Sequence, residues 1–348
     1  MGSQPSTWSS GPRTGMVVVT GAAGFIGSHL VDGLLRGGHP VVGVDRRDPS
    51  SDELAALNLA AALANPLFTF IEADIACADV VSLVSGAEAV FHLAAVPGVR
   101  LSWGSRFAEY ATTNIVGTQR LLAACERGGV RRLVYASSSS VYGSVASVSR
   151  ECDLTRPVSP YGVTKLAGEQ LCMAHASRAD SVLTVVALRY FTVYGPRQRP
   201  DMAIGRILSG ALTGARYTLF GDGSQRRDFT YVDDVVDATL SAADGGVPST
   251  VVNVGGGAPV SLADAIAVAR EVTGNPVPLT AVSARAGDVS ATAADLSLAS
   301  ALLGYRPRID LRAGMWRHAD WLRQLPADLV SRFAPPPAEF EEVTACSS

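Results

Sequence analysis

Residues 16–36, Met16-Val-Val-Val-Thr20-Gly21-Ala-Ala-Gly24-Phe25-Ile26-Gly27-Ser-His-Leu-Val-Asp-Gly-Leu-Leu-Arg36, carry the reading that decides the fold. Met16 to Thr20 is a β-rich apolar run that ends at a glycine, and from Ile26 to Arg36 apolar residues recur at helical spacing. A strand therefore passes through a glycine-rich turn into a helix. The alternation continues outward. Val41 to Asp45, Phe68 to Ile71, Ala89 to Leu93, Arg132 to Ser137 and Leu183 to Arg189 are short strand-like runs, separated by helical stretches such as Arg106 to Arg127 and Tyr161 to Arg178. Repeated βα units of this length predict an α/β protein with a doubly wound parallel sheet and helices on both faces.

Beyond about residue 193 the pattern loosens, with Gly and Pro clusters at 194–200, 221–224 and 255–259. This predicts a smaller α/β cap on the C-terminal side of the sheet. The expected division is a sheet domain over 16–192, rejoined by a strand near 251–254, and a cap formed mainly by 193–330. Residues 1–15 and 331–348 read as tails. The 348 residues are 47% hydrophobic and 18% charged, with 29 basic against 32 acidic side chains, so no excess positive field is available for nucleic acid or anionic lipid. Five cysteines without a CxxC pair suggest neither a disulfide framework nor zinc, and no signal or spanning segment is apparent. A cytoplasmic protein is expected.

The turn Gly21-Ala-Ala-Gly24-Phe25-Ile26-Gly27 stands between first strand and first helix. There, glycines let the backbone approach a pyrophosphate and the helix N-terminus presents N–H groups. Asp45 closes the second strand 18 residues after Gly27, placed to accept hydrogen bonds from the adenosine ribose. A dinucleotide site of the Rossmann type is expected over 16–192, with NAD favoured over NADP. Arg46 and Arg47 follow at once and are suited either to a 2′-phosphate or to a solvated loop over the adenine.

Ser159-Pro160-Tyr161-Gly-Val-Thr-Lys165 opens a helix, with Ser159 suited to the N-cap and Pro160 to the first turn. Tyr161 and Lys165 then share a face. The ammonium there favours phenolate and makes Tyr161 a usable acid/base near neutrality. Lys165 is the only lysine of the chain; all other basic residues of the charge count are arginine. Ser137-Ser138-Ser139-Ser140-Val-Tyr142-Gly follows the fifth strand, where its hydroxyls emerge at the carboxyl edge of the sheet.

The GxxGxxG spacing, Asp74-Ile75 after strand three and His92-Leu93-Ala94-Ala95 after strand four resemble the extended short-chain dehydrogenase/reductases. The segments from Arg189 to Asp201 (Arg-Tyr-Phe-Thr-Val-Tyr-Gly-Pro-Arg-Gln-Arg-Pro-Asp), Arg227 to Asp233 and Arg285 to Asp288 are similar to the NAD-dependent epimerase/dehydratase family. The resemblance runs from about residue 17 to 322. It implies an isomerase that uses NAD, with the glycine turn (Gly21, Gly24, Phe25, Ile26, Gly27), Asp45 and Arg46 at the cofactor. It implies that Asp74 and Ile75 frame the adenine, that Leu93, Ala94, Ala95 and Val96 line pyrophosphate and ribose, and that Asn114 orders the site. Ser138 maps onto the catalytic hydroxyl beside Tyr161 and Lys165. Arg227 and Arg285 map onto the diphosphate grip, with Asp288 on the ribose and Arg199 within the same substrate segment. His92 is read as a core histidine, and the helices 106–127 and 161–178 resemble those that pair in family homodimers.

The expected reaction is 4-epimerisation of a UDP-sugar by transient C4 oxidation, turning of the 4-keto intermediate and hydride return. Dehydratases and decarboxylases of the family carry acids where this chain has Ser139 and Ser140, and galactose-type epimerases have asparagine where it has Thr192. Together with Pro97-Gly-Val-Arg100, this resembles the uronic-acid branch and implies UDP-glucuronate as substrate, its carboxylate cradled by Ser139, Ser140 and Thr192. UDP-glucose 4-epimerisation and UDP-glucuronate decarboxylation are the alternatives. A catalytically silent NAD sensor would be expected to lack Tyr161 or Lys165.

Overall fold

The computed structural model describes residues 15–144, 148–283 and 291–334. The first six strands and helices alternate from the N-terminus: β1 (Val17–Thr20), α1 (Phe25–Arg36), β2 (Val41–Asp45), α2 (Glu53–Leu63), β3 (Phe68–Glu72), α3 (Val80–Val84), β4 (Ala89–His92), α4 (Phe107–Ala111), α5 (Thr118–Gly128), β5 (Arg132–Ser138), α6 (Pro160–Ala176) and β6 (Thr184–Tyr190). With the strand Thr250–Val254 at one edge they build one seven-stranded sheet in the order 250–254, β6, β5, β4, β1, β2, β3. All of its pairings are parallel. The strand order reverses between β1 and β4, which opens a crevice at their carboxyl ends, where ligands of such sheets bind.

Short strands of Val, Leu and Ala are buried because helices cover the sheet, and they read as continuous apolar runs for that reason. On one face Val18, Val44, Val90, Leu133 and Val185 pack with Leu121 and Leu122 of α5 and Val80 and Val84 of α3. Each such side chain contributes about 1.5–3 kcal/mol of burial. On the other face α1 lies against the helix Val232–Ala242, close enough that a Cβ on Gly33 would stand 3.2 Å from Val236.

The chain from 106 to 127, predicted as one helix, is helical throughout but not uniformly so. Thr112–Gly117 forms a π turn between α4 and α5. The wider turn accompanies side-chain bonds from Asn114 outside the helix, described below.

Two compact units divide the chain. Of the described residues, the first holds those of 15–193, 226–259 and 291–310, and the second those of 194–225, 260–283 and 311–334. The second half of the chain thus alternates between units. Within the second unit, Tyr217–Phe220 and Leu279–Val282 form a two-stranded parallel sheet, and the helices Ala203–Thr213, Leu262–Thr273 and Leu311–Gln324 pack together. No helix among the described residues is long and apolar enough to cross a membrane.

The β1–α1 turn depends on absent side chains. Gly21 adopts a φ of +74°, and a Cβ on Gly27 would stand 2.0 Å from the Gly21 carbonyl oxygen. Backbone meets backbone there, so no rotamer change relieves the overlap. Gly27→Ala is expected to destabilise the fold by about 1–3 kcal/mol in urea unfolding; a change below about 0.5 kcal/mol would contradict this packing.

Candidate active site

The carboxyl edge of the sheet collects the glycine turn, Asp45, the β4 exit and the start of α6. Gly24 is the N-cap of α1, with no side chain bonded to the cap and no acid in the first turn. The helix end therefore keeps its positive character for an anion. The conformation of the turn is fixed at Ala23. Its N–H donates to Asp45 Oδ2 at 3.0 Å, while its carbonyl accepts Arg47 Nη2 at 2.6 Å and Asn58 Nδ2 at 2.9 Å. Asp45 is buried, and its other oxygen accepts the Arg47 N–H at 3.0 Å. Arg46 instead pairs with Glu109 on α4 at 3.0 Å. The arginine that embraces the turn is thus Arg47, together with Asn58, which the sequence reading did not single out.

An uncapped helix end, a close-approach glycine turn and a buried carboxylate at the tip of β2 are the parts a dinucleotide needs, so these residues fit that group. Asp74 follows β3 and accepts the Ala76 N–H at 2.8 Å. Ile75 is buried, its side chain meeting the position where Gly117 would carry a Cβ, and its carbonyl accepts Arg120 Nε at 3.3 Å.

A one-way chain of hydrogen bonds fixes the β4 exit. The Ala94 N–H donates to Thr20 Oγ at 3.2 Å, Thr20 pairs with His92 Nδ1 at 2.8 Å, His92 Nε2 pairs with Thr118 Oγ at 3.0 Å, and Thr118 donates to the Asn114 carbonyl at 2.7 Å. Thr118 spends its proton on Asn114, so His92 Nε2 carries the hydrogen and Nδ1 accepts from Thr20. Burial, followed by the positive charge of Lys165, holds His92 down to about 3. It is a neutral strut, as a core histidine should be. The Asn114 side chain closes the arrangement. Its Oδ1 accepts the Val96 N–H at 2.7 Å, and its Nδ2 donates to the Val96 carbonyl at 3.1 Å and to Thr164 Oγ at 3.0 Å.

Ser159 caps α6 by accepting the Gly162 N–H at 3.1 Å, and Pro160 occupies the first turn. This start places Tyr161 and Lys165 one turn apart on the helix. The Tyr161 ring meets the Tyr110 ring edge-on at 6.3 Å, and Tyr110 Oη is anchored on the carbonyls of Pro97 and Gly98 at 3.0 and 2.9 Å. Lys165 is only 4% exposed, and its Nζ lies 4.4 Å from the centroid of the Tyr135 ring. Burial pulls its pKa down to about 8, with Cys172 and then Glu169 pulling the other way. Ser138, at the end of β5, accepts the Ser140 N–H at 3.2 Å, which shapes the 3-10 turn Ser139–Val141. Tyr110, Tyr135 and Thr164 support the cluster and were not singled out from sequence; their roles depend on contacts across elements.

The other candidates are carried by other segments. Arg100 opens an exposed 3-10 turn, Thr192 begins the short strand Thr192–Tyr194, and Arg227 lies in the strand Arg226–Tyr231 with Nη1 on the Arg226 carbonyl at 2.9 Å. Arg199, in the second unit, forks onto Asp201 at 3.0 and 2.9 Å. Arg285 and Asp288 lie outside the described residues.

Residues 17–255 match the model of the NAD dependent epimerase/dehydratase family. Over 314 residues the chain is 43% identical to YtcB of Bacillus subtilis (strain 168), described as an uncharacterized UDP-glucose epimerase, covering 89% of this chain and 98% of that one. Among solved structures, MoeE5 in complex with UDP-glucose and NAD is 46% identical with a TM-score of 0.82, covering 89% of this chain and 99% of that one. MoeE5 is also known in complex with UDP-glucuronic acid and NAD. UDP-glucuronic acid 4-epimerase from Bacillus cereus, in complex with UDP-glucuronic acid and NAD, is 42% identical with a TM-score of 0.84 and the same coverages, 89% and 99%. A glycine turn and acid-tipped second strand fitted for a dinucleotide, in a chain most of whose length matches one model, lead to one assignment: this protein belongs to the NAD dependent epimerase/dehydratase family.

Proposed function

We propose that this protein is a 4-epimerase of a UDP-sugar and that its substrate is UDP-glucuronate, converted to UDP-galacturonate. The observation that carries the reading is a buried ammonium one helical turn from Tyr161, near a β5 exit that offers hydroxyls and no carboxylate. Bound NAD supplies a reversible hydride acceptor for the sugar C4 carbon. In this reading Tyr161 Oη takes the proton of the O4 hydroxyl and later returns it, Lys165 favours the phenolate by its charge, and Ser138 orients O4. The proton that Tyr161 would take from O4 is the one it would return, so the residues would end each cycle as they began, and no outside reductant would be needed.

The uronate assignment rests on Ser139, Ser140 and Thr192. A 4-keto uronic acid is a β-keto acid that loses carbon dioxide readily, and hydroxyl donors fixed on the C6 carboxylate oppose that loss. No acid stands at 139 or 140 to promote decarboxylation. The similarity to two proteins solved with UDP-glucuronic acid supports the same reading. UDP-glucose is the second candidate, favoured by the YtcB description and by the UDP-glucose complex of MoeE5. Arg227, Arg285 and Asp288 are assigned to the nucleotide diphosphate and ribose. A cytoplasmic homodimer belongs to the same reading.

Incubation with UDP-glucuronate and NAD, followed by NMR, is expected to yield UDP-galacturonate. Pentose products, or conversion of UDP-glucose alone, would overturn the substrate assignment. Tyr161→Phe and Lys165→Arg are each expected to lower kcat by about a hundredfold or more with the circular-dichroism spectrum unchanged. Near-normal turnover in either variant would remove the assigned roles. Lys165 is held at about 8, so its ammonium is complete below that pH and lost above it. The kcat/KM is therefore expected to fall as pH rises through about 8, and a profile flat to about pH 10 would contradict the role of the charge.

A further inference from the structure

Glu169 lies one helical turn beyond Lys165, is fully buried, and has no part in the proton transfers proposed above. Its Oε2 accepts the Ser137 hydroxyl at 2.6 Å and Arg189 Nε at 3.0 Å, and its Oε1 accepts Arg189 Nη2 at 2.7 Å. Arg189, on β6, is 4% exposed; burial opposes its charge, yet the bonds to Glu169 raise its pKa. Its Nη1 donates to Tyr142 Oη at 2.8 Å and to the Glu151 carbonyl at 3.3 Å, and its guanidinium lies 4.7 Å from the Tyr142 ring centroid. Tyr142 Oη in turn donates to Asn253 Oδ1 at 2.7 Å, and the Asn253 N–H donates to the Glu151 carboxylate at 2.8 Å. One carboxylate thus joins α6 to β5 and β6, and through Arg189 and Tyr142 to the edge strand 250–254.

A buried ion pair is weak support for stability, because apolar residues of similar volume do as well or better. What it provides is direction. Three donors from two strands converge on two oxygens, so α6 can neither slide nor rotate over β5 without breaking charge-assisted bonds. Ser137 adjoins Ser138, and Glu169 follows the turn that bears Lys165. We propose that Glu169, clamped by Arg189, is a positioning residue for the reaction proposed above, on which this inference rests: it locks the Lys165 turn of α6 onto the end of β5, keeping Tyr161 and Lys165 in register with the Ser138 hydroxyl. An electrostatic consequence accompanies this placement. The groups acting on Lys165 are Cys172 and Glu169 from α6, Tyr135 from β5, His92 from β4 and, behind Glu169, Arg189 from β6. Burial keeps Cys172 a thiol and His92 uncharged, which leaves Glu169 as the anion among them.

Two measurements on the full chain test the proposal. Ser137→Ala removes one bond to Glu169 without unpairing a charge, and Ser137→Thr keeps the hydroxyl. Ser137→Ala is expected to lower kcat by about tenfold, leaving KM and NAD affinity within about twofold, with Ser137→Thr recovering most of the loss. In protein labelled with ¹³C-lysine, whose single lysine gives an unambiguous signal, Glu169→Gln is expected to move the Lys165 titration midpoint down by about one pH unit. A Ser137→Ala variant with near-normal kcat, one whose kcat loss is matched by lost NAD affinity and a broadened unfolding transition, or an unmoved midpoint in Glu169→Gln would each overturn the proposal. If Glu169→Gln does not fold, the Ser137 pair decides. If the wild-type protein does not epimerise UDP-sugars, the lysine titration, which needs no substrate, still decides.

Discussion

Taking the ammonium of Lys165 out of water costs on the order of several kcal/mol unless the protein returns compensating interactions, and the first unit supplies them from several sides. The Tyr135 face lies beneath Nζ, Glu169 sits one turn away, and the neutral His92 offers no opposing charge. The compensation is incomplete, which is why the pKa rests at about 8. Burial sets the poise, and the surroundings keep it from falling further.

Keeping His92 neutral requires that every group around it have a fixed donor or acceptor role. The chain from the Ala94 N–H through Thr20, His92 and Thr118 to the Asn114 carbonyl has one consistent direction. A second imidazole proton would confront the Thr20 hydroxyl with a donor where an acceptor is needed. The strut ties the β4 exit to the π turn that carries Asn114, and Asn114 then holds Val96 and Thr164 at once. The π turn thus belongs to the same arrangement: it occurs where one residue reaches the β4 exit through its side chain and Thr118 through its carbonyl.

The inner strands and the main helices were legible because burial within a parallel sheet writes itself as short apolar runs, and even with the edge strand β3 only partly buried, β1 to β6 begin or end within a residue or so of the runs read from sequence. The local motifs were legible for a related reason, since Gly21 to Gly27, Ser159 to Lys165 and the serine run each act within one turn or one helix. What stayed hidden depends on partners distant in sequence. The π turn leaves the apolar spacing of 106–127 intact. The Gly and Pro clusters at 194–200, 221–224 and 255–259 mark three boundaries of the two interleaved units, but composition does not say which of the segments between them pack together. Arg47 rather than Arg46 at the glycine turn was within reach, because side chains alternate along an extended chain and Arg47 falls on the side of Asp45. Glu169 was within reach too, as the third member of a Tyr161, Lys165, Glu169 series spaced by four.

The use of one lysine among so many arginines follows from the same physics. Arg189 and Arg132 are both buried, one forked onto Glu169 and the other donating to the carbonyls of Ala243 and Val247 at 3.2 and 2.7 Å. A guanidinium survives such burial, because its charge is delocalised and its planar donors meet several acceptors at once. An ammonium in either place would shed its proton or leave acceptors unmet. At position 165 the surroundings differ: a compact cation lies over the Tyr135 ring, and burial lowers its proton affinity. Guanidinium groups thus hold the charges forked onto several acceptors, and the single ammonium stands where burial brings its pKa down to about 8.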